Sequence, residues 1–324
     1  MKKPTKEDNM IYRTDLGIDK DQSFGVEIEF ANAKLSEIQK QSEIAHLPIQ
    51  YMYHHYNSKH LPYDVWYLDE DVTVSQEQFG KLGIKRFIGG ELSSKIMHDI
   101  PCDWLELQQI CHMLQSLHAK ISSNCSNHIT VDTSKVRNQK AMYETLAQIL
   151  AIYEPEIYSF YMGDGYLERA TMDSYAKLIR PRLLTEQKSQ NFLETLDRNE
   201  HPGFLPFVFT NLDAINIRGK KHPNQVEFRY PNGTLSEKTI QNNINFTVKL
   251  LDAINHGRFK RYRLNHQVSK VLSKYATAYE EDLYEQRPRD NYFDQLVDII
   301  ATSDADRQDF YRQYQKVKST RHEI

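Results

Sequence analysis

The sequence predicts an α+β fold: an antiparallel sheet with helices packed on one face and a cleft on the other, followed by a helical C-terminal tail. Three observations predict it. Several short segments alternate apolar and polar residues with a period near two, which marks strands with two unlike faces. Between them lie longer segments whose apolar residues recur at helical spacing. The last stretch, 263–324, is polar and rich in Tyr, Gln and charge, with one helical apolar stripe.

Taken in order, residues 1–22 form a polar leader and 23–262 the main domain, with 263–324 as a tail packed on it. In the first strand Val26, Ile28 and Phe30 point one way, Glu27 and Glu29 the other. In 66–74 the second face holds Asp69, Asp71 and Thr73, and Glu70 interrupts the apolar face. Residues 87–92 place Glu91 inside an apolar stretch. In 127–132 the second face holds His128, Thr130 and Asp132; in 226–230 it holds Glu227 and Arg229. Helices are predicted over 103–120, over 138–153 with its end before Pro155, and over 236–256 with Ser236 as N-cap and Gly257 as stop. In the tail Phe293, Leu296, Val297 and Ile300 fall on one stripe.

Composition narrows the function classes. The chain has 324 residues, is 40% hydrophobic and 11% aromatic, and carries a net charge of −3. It is therefore a folding chain without the basic excess of a nucleic-acid binder. Three cysteines without a Cys-x-x-Cys pair exclude a disulfide framework or structural zinc site. With no signal-peptide pattern and no apolar run of membrane length, the expectation is a soluble cytoplasmic protein.

Two glutamates at i and i+2 on a strand lie about 7 Å apart on one face. In a partly closed cleft their repulsion and desolvation are costly unless a cation bridges them. Carboxylates with one imidazole suit Mg²⁺ or Mn²⁺ better than a soft-metal site. Spacing alone leaves two readings open: a solvated outer face with structural His128 and a surface Glu227–Arg229 pair, or a cation-binding cleft.

The ordered blocks Phe24-Gly25-Val26-Glu27-Ile28-Glu29-Phe30, Gly90-Glu91-Leu92-Ser93-Ser94, Asn127-His128-Ile129-Thr130-Val131-Asp132 and Val226-Glu227-Phe228-Arg229-Tyr230-Pro231-Asn232-Gly233-Thr234-Leu235 resemble the amidoligases. These are carboxylate–amine ligases related to glutamine synthetase and γ-glutamylcysteine ligase. The resemblance implies a glutamine-synthetase-like curved antiparallel sheet, ATP, two or more divalent cations, and amide or peptide bond formation through an acyl phosphate. It makes Glu27, Glu29, Glu91, His128 and Glu227 metal ligands. Arg229 becomes the grip on the transferred phosphate, Asp71 a base near the substrate, and Arg169 a second nucleotide contact. Thr130 stands where the family often has a second His, Lys95 where it has Pro, and Thr73 where it has Ser. The implied partners are small-molecule or peptide carboxylates and amines, with no nucleic acid and no membrane. No Gly-x-x-x-x-Gly-Lys-Ser/Thr loop occurs, so a P-loop nucleotide site is excluded. The rivals are a phosphotransferase on the same fold, a catalytically silent peptide-binding module and, less favoured, a metal-dependent hydrolase.

Overall fold

The computed structural model describes residues 12–52, 62–71, 73–74, 76–79, 85–162, 207–209, 224–275 and 290–321. Among them eight strands form one sheet: β1 (Phe24–Lys34), β2 (Ile49–Tyr51), β3 (Trp66–Asp69), β4 (Gln76–Phe79), β5 (Lys85–Ser93), β6 (Asn127–Asp132), β7 (Phe207–Phe209) and β8 (Gln225–Phe228). Their order is β2-β3-β5-β1-β6-β8-β7, with β4 pairing β5 beside β3. The sheet is mixed rather than wholly antiparallel, because β2 runs parallel to β3 at the edge. Three-residue β2 was too short to show a period, so its direction left no trace in the sequence.

The helices are α1 (Leu35–Ile44), α2 (Pro101–Ser116), α3 (Gln139–Tyr161), α4 (Glu237–Asn255), α5 (Arg261–Tyr275), α6 (Asp290–Ile300) and α7 (Asp304–Arg321). Helices α1 and α4 touch the sheet; α2 packs on both, and α3 packs on α4, α5, α6 and α7. Val26, Ile28, Phe30, Leu68, Leu92, Ile129, Val131, Val226 and Phe228 all enter one core with the helices. Each such side chain stabilises by about 1.5–3 kcal/mol. The expected tail stripe joins the same core, and Phe293 stacks on Tyr314 at 3.7 Å. Among the described residues no helix is long and apolar enough to cross a membrane.

Two helix ends repay comparison with the sequence. Ser236 caps α4 as expected, its Oγ accepting from Thr239 N. Helix α3, however, does not stop before Pro155 but runs through it to Tyr161. An interior proline costs roughly 3 kcal/mol. Beyond it Ile157, Phe160 and Tyr161 are fully buried, and Phe160 stacks on Phe246 at 4.2 Å. That burial outweighs the lost hydrogen bond. At the strand end, Gly90 allows a close crossing: a Cβ there would stand 2.4 Å from the Asp69 carbonyl oxygen.

The chain ahead of β1 is pinned rather than loose from residue 12 onward. Leu16 N and Ile18 N donate to the Asp99 carboxylate. Lys249 Nζ donates to Leu16 O at 2.8 Å and pairs with Asp306, which is fully buried and also accepts from Arg13 Nη2 at 2.9 Å. Asn245 Nδ2, Thr302 Oγ1 and Ser303 N complete the shell around Asp306. Burial acts to raise the Asp306 pKa, but the Lys249 and Asn245 hydrogen bonds outweigh it and hold the carboxyl well below its usual range. A depressed acid contributes stability above its unfolded value and loses it as pH falls through the folded one. Asp306 therefore stabilises the protein at neutral pH and releases that contribution only in strongly acid solution. Asp306→Asn should leave the Lys249 ammonium buried without its counter-charge and cost about 3–5 kcal/mol. Urea unfolding at pH 7 measures this, and the gap from wild type should narrow in strong acid.

Candidate metal centre

Directly opposed residues of an antiparallel pair lie on the same face. The register sets Glu27 opposite Ser93 on one side and His128 on the other. It sets Glu29 opposite Glu91, Glu91 opposite Asp69, and Thr130 opposite Glu227. Because Val26, Ile28 and Phe30 must face the helices, the pleat sends these polar residues to the other face.

Two groups of three ligands result. Glu27, His128 and Glu227 form the first; Glu29, Asp71 and Glu91 form the second. In each, one ligand atom per residue lies within 4.8 Å of the other two. His128 Nδ1 stands 2.9 Å from Glu27 Oε2 and 3.4 Å from Glu227 Oε1. His128 Nε2 lies 3.9 Å from Glu29 Oε1, so the groups are neighbours. Arg229 follows the end of β8 instead of lying within the strand, yet its Nε reaches Glu227 Oε1 at 3.2 Å.

Asp71 arrives by a different route from the one its spacing suggested. Strand β3 ends at Asp69 and does not continue to residue 74. Asp69 Oδ1 accepts from Glu70 N at 2.7 Å, and Asp71 Oδ1 accepts from Thr73 N and Thr73 Oγ1 at 2.7 Å each. Such local side-chain bonds compete with the ladder and turn the chain. The turn, not a strand face, carries Asp71 to Glu29 and Glu91. Arg169 lies outside the described residues. Tyr51 donates to Glu70 Oε1 at 2.9 Å.

The sequence reading missed the supports. Ser93 Oγ donates to Glu91 Oε1 at 2.7 Å. Ser126 N donates to Glu29 Oε2 at 2.7 Å, and Ser126 Oγ lies 2.9 Å from His128 Nε2. Asn127 N donates to Pro231 O, its Oδ1 accepts from Thr234 N, and Gly233 N donates to Cys125 O. The Pro231-Asn232-Gly233-Thr234 segment thus clamps the start of β6. Ser93 and Ser126 each stand two residues from a proposed ligand, on its own strand face, and that was the available signal.

The donor set fits hard divalent cations: carboxylate oxygens in number and one imidazole. Electrostatics point the same way. Burial first, then the charge of Glu27, pushes the Glu91 carboxyl well above its ordinary range; Glu29 and Asp71 add to this against the Ser93 hydrogen bond. A bound cation would relieve that crowding. A raised acid binds its proton more tightly folded than unfolded, so stability falls as pH rises above the unfolded value. Glu91→Gln should therefore raise the melting temperature of the metal-free protein at pH 7–8 while removing Mn²⁺ uptake by the second group. Calorimetric melts and Mn²⁺ titrations read the two effects separately.

Residues 20–251 match the family described as "Putative amidoligase enzyme". A 92-residue stretch is 33% identical to large ribosomal subunit protein uL13 of Bacillus mycoides (strain KBAB4), covering 25% of this chain and 63% of that protein. The solved complex between prokaryotic ubiquitin-like protein Pup and its ligase PafA is similar at TM-score 0.33 and 11% identity, covering 92% of this chain and 64% of that one. This chain thus spans just under two thirds of the length of each, and neither likeness decides its function. The family match covers well over half of the sequence, so the chain belongs to the amidoligase family.

Proposed function

We propose that this chain is an ATP- and divalent-metal-dependent ligase that joins a carboxylate to an amine through an acyl phosphate. The observation that carries the proposal is the pair of three-ligand groups on one sheet face, with Arg229 beside Glu227. The same proposal takes the sheet as glutamine-synthetase-like and curved, 23–262 as the catalytic unit, 263–324 as its helical tail, and the cytoplasm as the site of action.

A free carboxylate resists attack by an amine because its leaving group would be an oxide; phosphorylation supplies a good one. Bound Mg²⁺ or Mn²⁺ would neutralise the charge that gathers on the phosphoryl oxygens of ATP. Glu27, His128 and Glu227 would hold one such ion, and Glu29, Asp71 and Glu91 a second. Arg229 directs a guanidinium toward the same face, where it grips the transferred phosphate. Asp71 stands on a turn beside Glu29 and Glu91, so its neighbours favour the ligand role over the base role that the resemblance assigns. The proposed substrates are carboxylates and amines, small or peptidic, used together with ATP.

Screening amino acids, peptides and amines for ADP release should find turnover that needs both substrates and Mg²⁺ or Mn²⁺, with an amide product by mass spectrometry. Glu27→Gln and Glu227→Gln should abolish it. Arg229→Ala should lower kcat by about 10²–10³-fold. Unimpaired turnover in both glutamine variants would sink the proposal. A stable phosphorylated product without amide would make the protein a phosphotransferase, and failure to bind ATP or metal would make it a silent binding module.

A further inference from the structure

We propose that Ser126 is a positioning residue: its hydroxyl holds His128 Nε2 so that Nδ1 faces Glu27 and Glu227, and its N–H anchors Glu29 of the neighbouring group. The proposal rests on the reading of Glu27, His128 and Glu227 as a cation site. Ser126 is buried, and its own atoms touch both groups. Its backbone is fixed twice over, since its carbonyl accepts from Glu29 N at 3.1 Å and it bridges Asn232 of the clamping segment.

The chemistry follows from what His128 faces. Its Nδ1 looks toward two carboxylates, Glu27 and Glu227. A cation held by Nδ1 and the two acids would take the Nδ1 lone pair, so Nε2 would carry the ring hydrogen and need an acceptor. The Ser126 hydroxyl stands at 2.9 Å to accept it, and alanine offers no such atom. Glu29 Oε1 lies 3.9 Å from Nε2, and drawing it onto His128 would remove a ligand from the second group.

Mn²⁺ titration calorimetry of the full chain, with ¹⁵N NMR of the histidine ring under Mg²⁺, tests this without any turnover assay. Wild type should take up two Mn²⁺ and hold the His128 ring hydrogen on Nε2 under Mg²⁺. Ser126→Ala should weaken Mn²⁺ binding by about 10–100-fold and shift the His128 ring signals under Mg²⁺, whereas Ser126→Thr should keep both as in wild type. If the alanine variant does not fold, Ser126→Cys, with its weak donor and acceptor, should show a smaller loss in the same direction. No Mn²⁺ uptake by wild type overturns the cation reading and this proposal with it. Two wild-type sites left unchanged in the alanine or cysteine variant, or an equal loss in the threonine variant, overturn the role of Ser126 alone.

Discussion

Strand β1 is hydrogen-bonded along both edges, to β5 and to β6, and its pleat ties the core to the site. Val26, Ile28 and Phe30 are each at most 2% exposed, so the residues between them are committed to the other face. A one-residue slip against either neighbour would reverse every side chain. It would expose three core residues, at roughly 1.5–3 kcal/mol each, and drive Glu27 and Glu29 in among the helices. The hydrophobic term therefore fixes the alignment of Glu27 with His128, and of Glu29 with Glu91, before any ligand arrives.

That alignment needs a firm partner, and β6 is held from behind. The segment 231–234 runs antiparallel to it and gives backbone bonds to Cys125 and Asn127 on either side of Ser126. Gly233 lies so close that a Cβ would stand 2.7 Å from the Cys125 side chain. The block that gave the sequence much of its family resemblance thus acts at one remove from the chemistry: it sets the start of the strand that presents His128. Tyr230, just ahead of it, donates to Glu154 Oε1 at 2.8 Å, which ties the chain after Arg229 to helix α3.

How much of this could be read from residues alone depends on the range of the interaction concerned. Period-two alternation is a local signal, and it placed the strands bearing Glu27, Glu29, Glu91, His128 and Glu227. Helical stripes and the Ser236 cap are equally local, and α4 runs within one residue of its expected ends. The failures share a different cause. Continuation of α3 through Pro155 depends on contacts with Phe246, far away in sequence. The parallel seat of β2 beside β3 is a tertiary choice that three residues cannot announce. The turn at Asp71 hid because its acids were counted as strand positions when they were bonding their own backbone. Ser126 hid because a serine two residues from a histidine is common, and only the fold shows that it faces both Glu29 and His128.

Gathering Glu27, Glu29, Asp71, Glu91 and Glu227 on one face works against folding. The raised Glu91 carboxyl is the visible sign of that opposition. The sheet tolerates it because its two faces divide the labour: the helix-facing side is apolar from β3 to β8, and its burial is independent of what the other side carries. Within the acidic face, Ser93, Ser126, His128 and Arg229 separate the carboxylates by donating to them or pairing with them. Each therefore lowers repulsion in the metal-free protein and, under the proposed cation reading, would aim an oxygen at the ion. The repulsion that remains in the empty site would then add to cation affinity instead of opposing it.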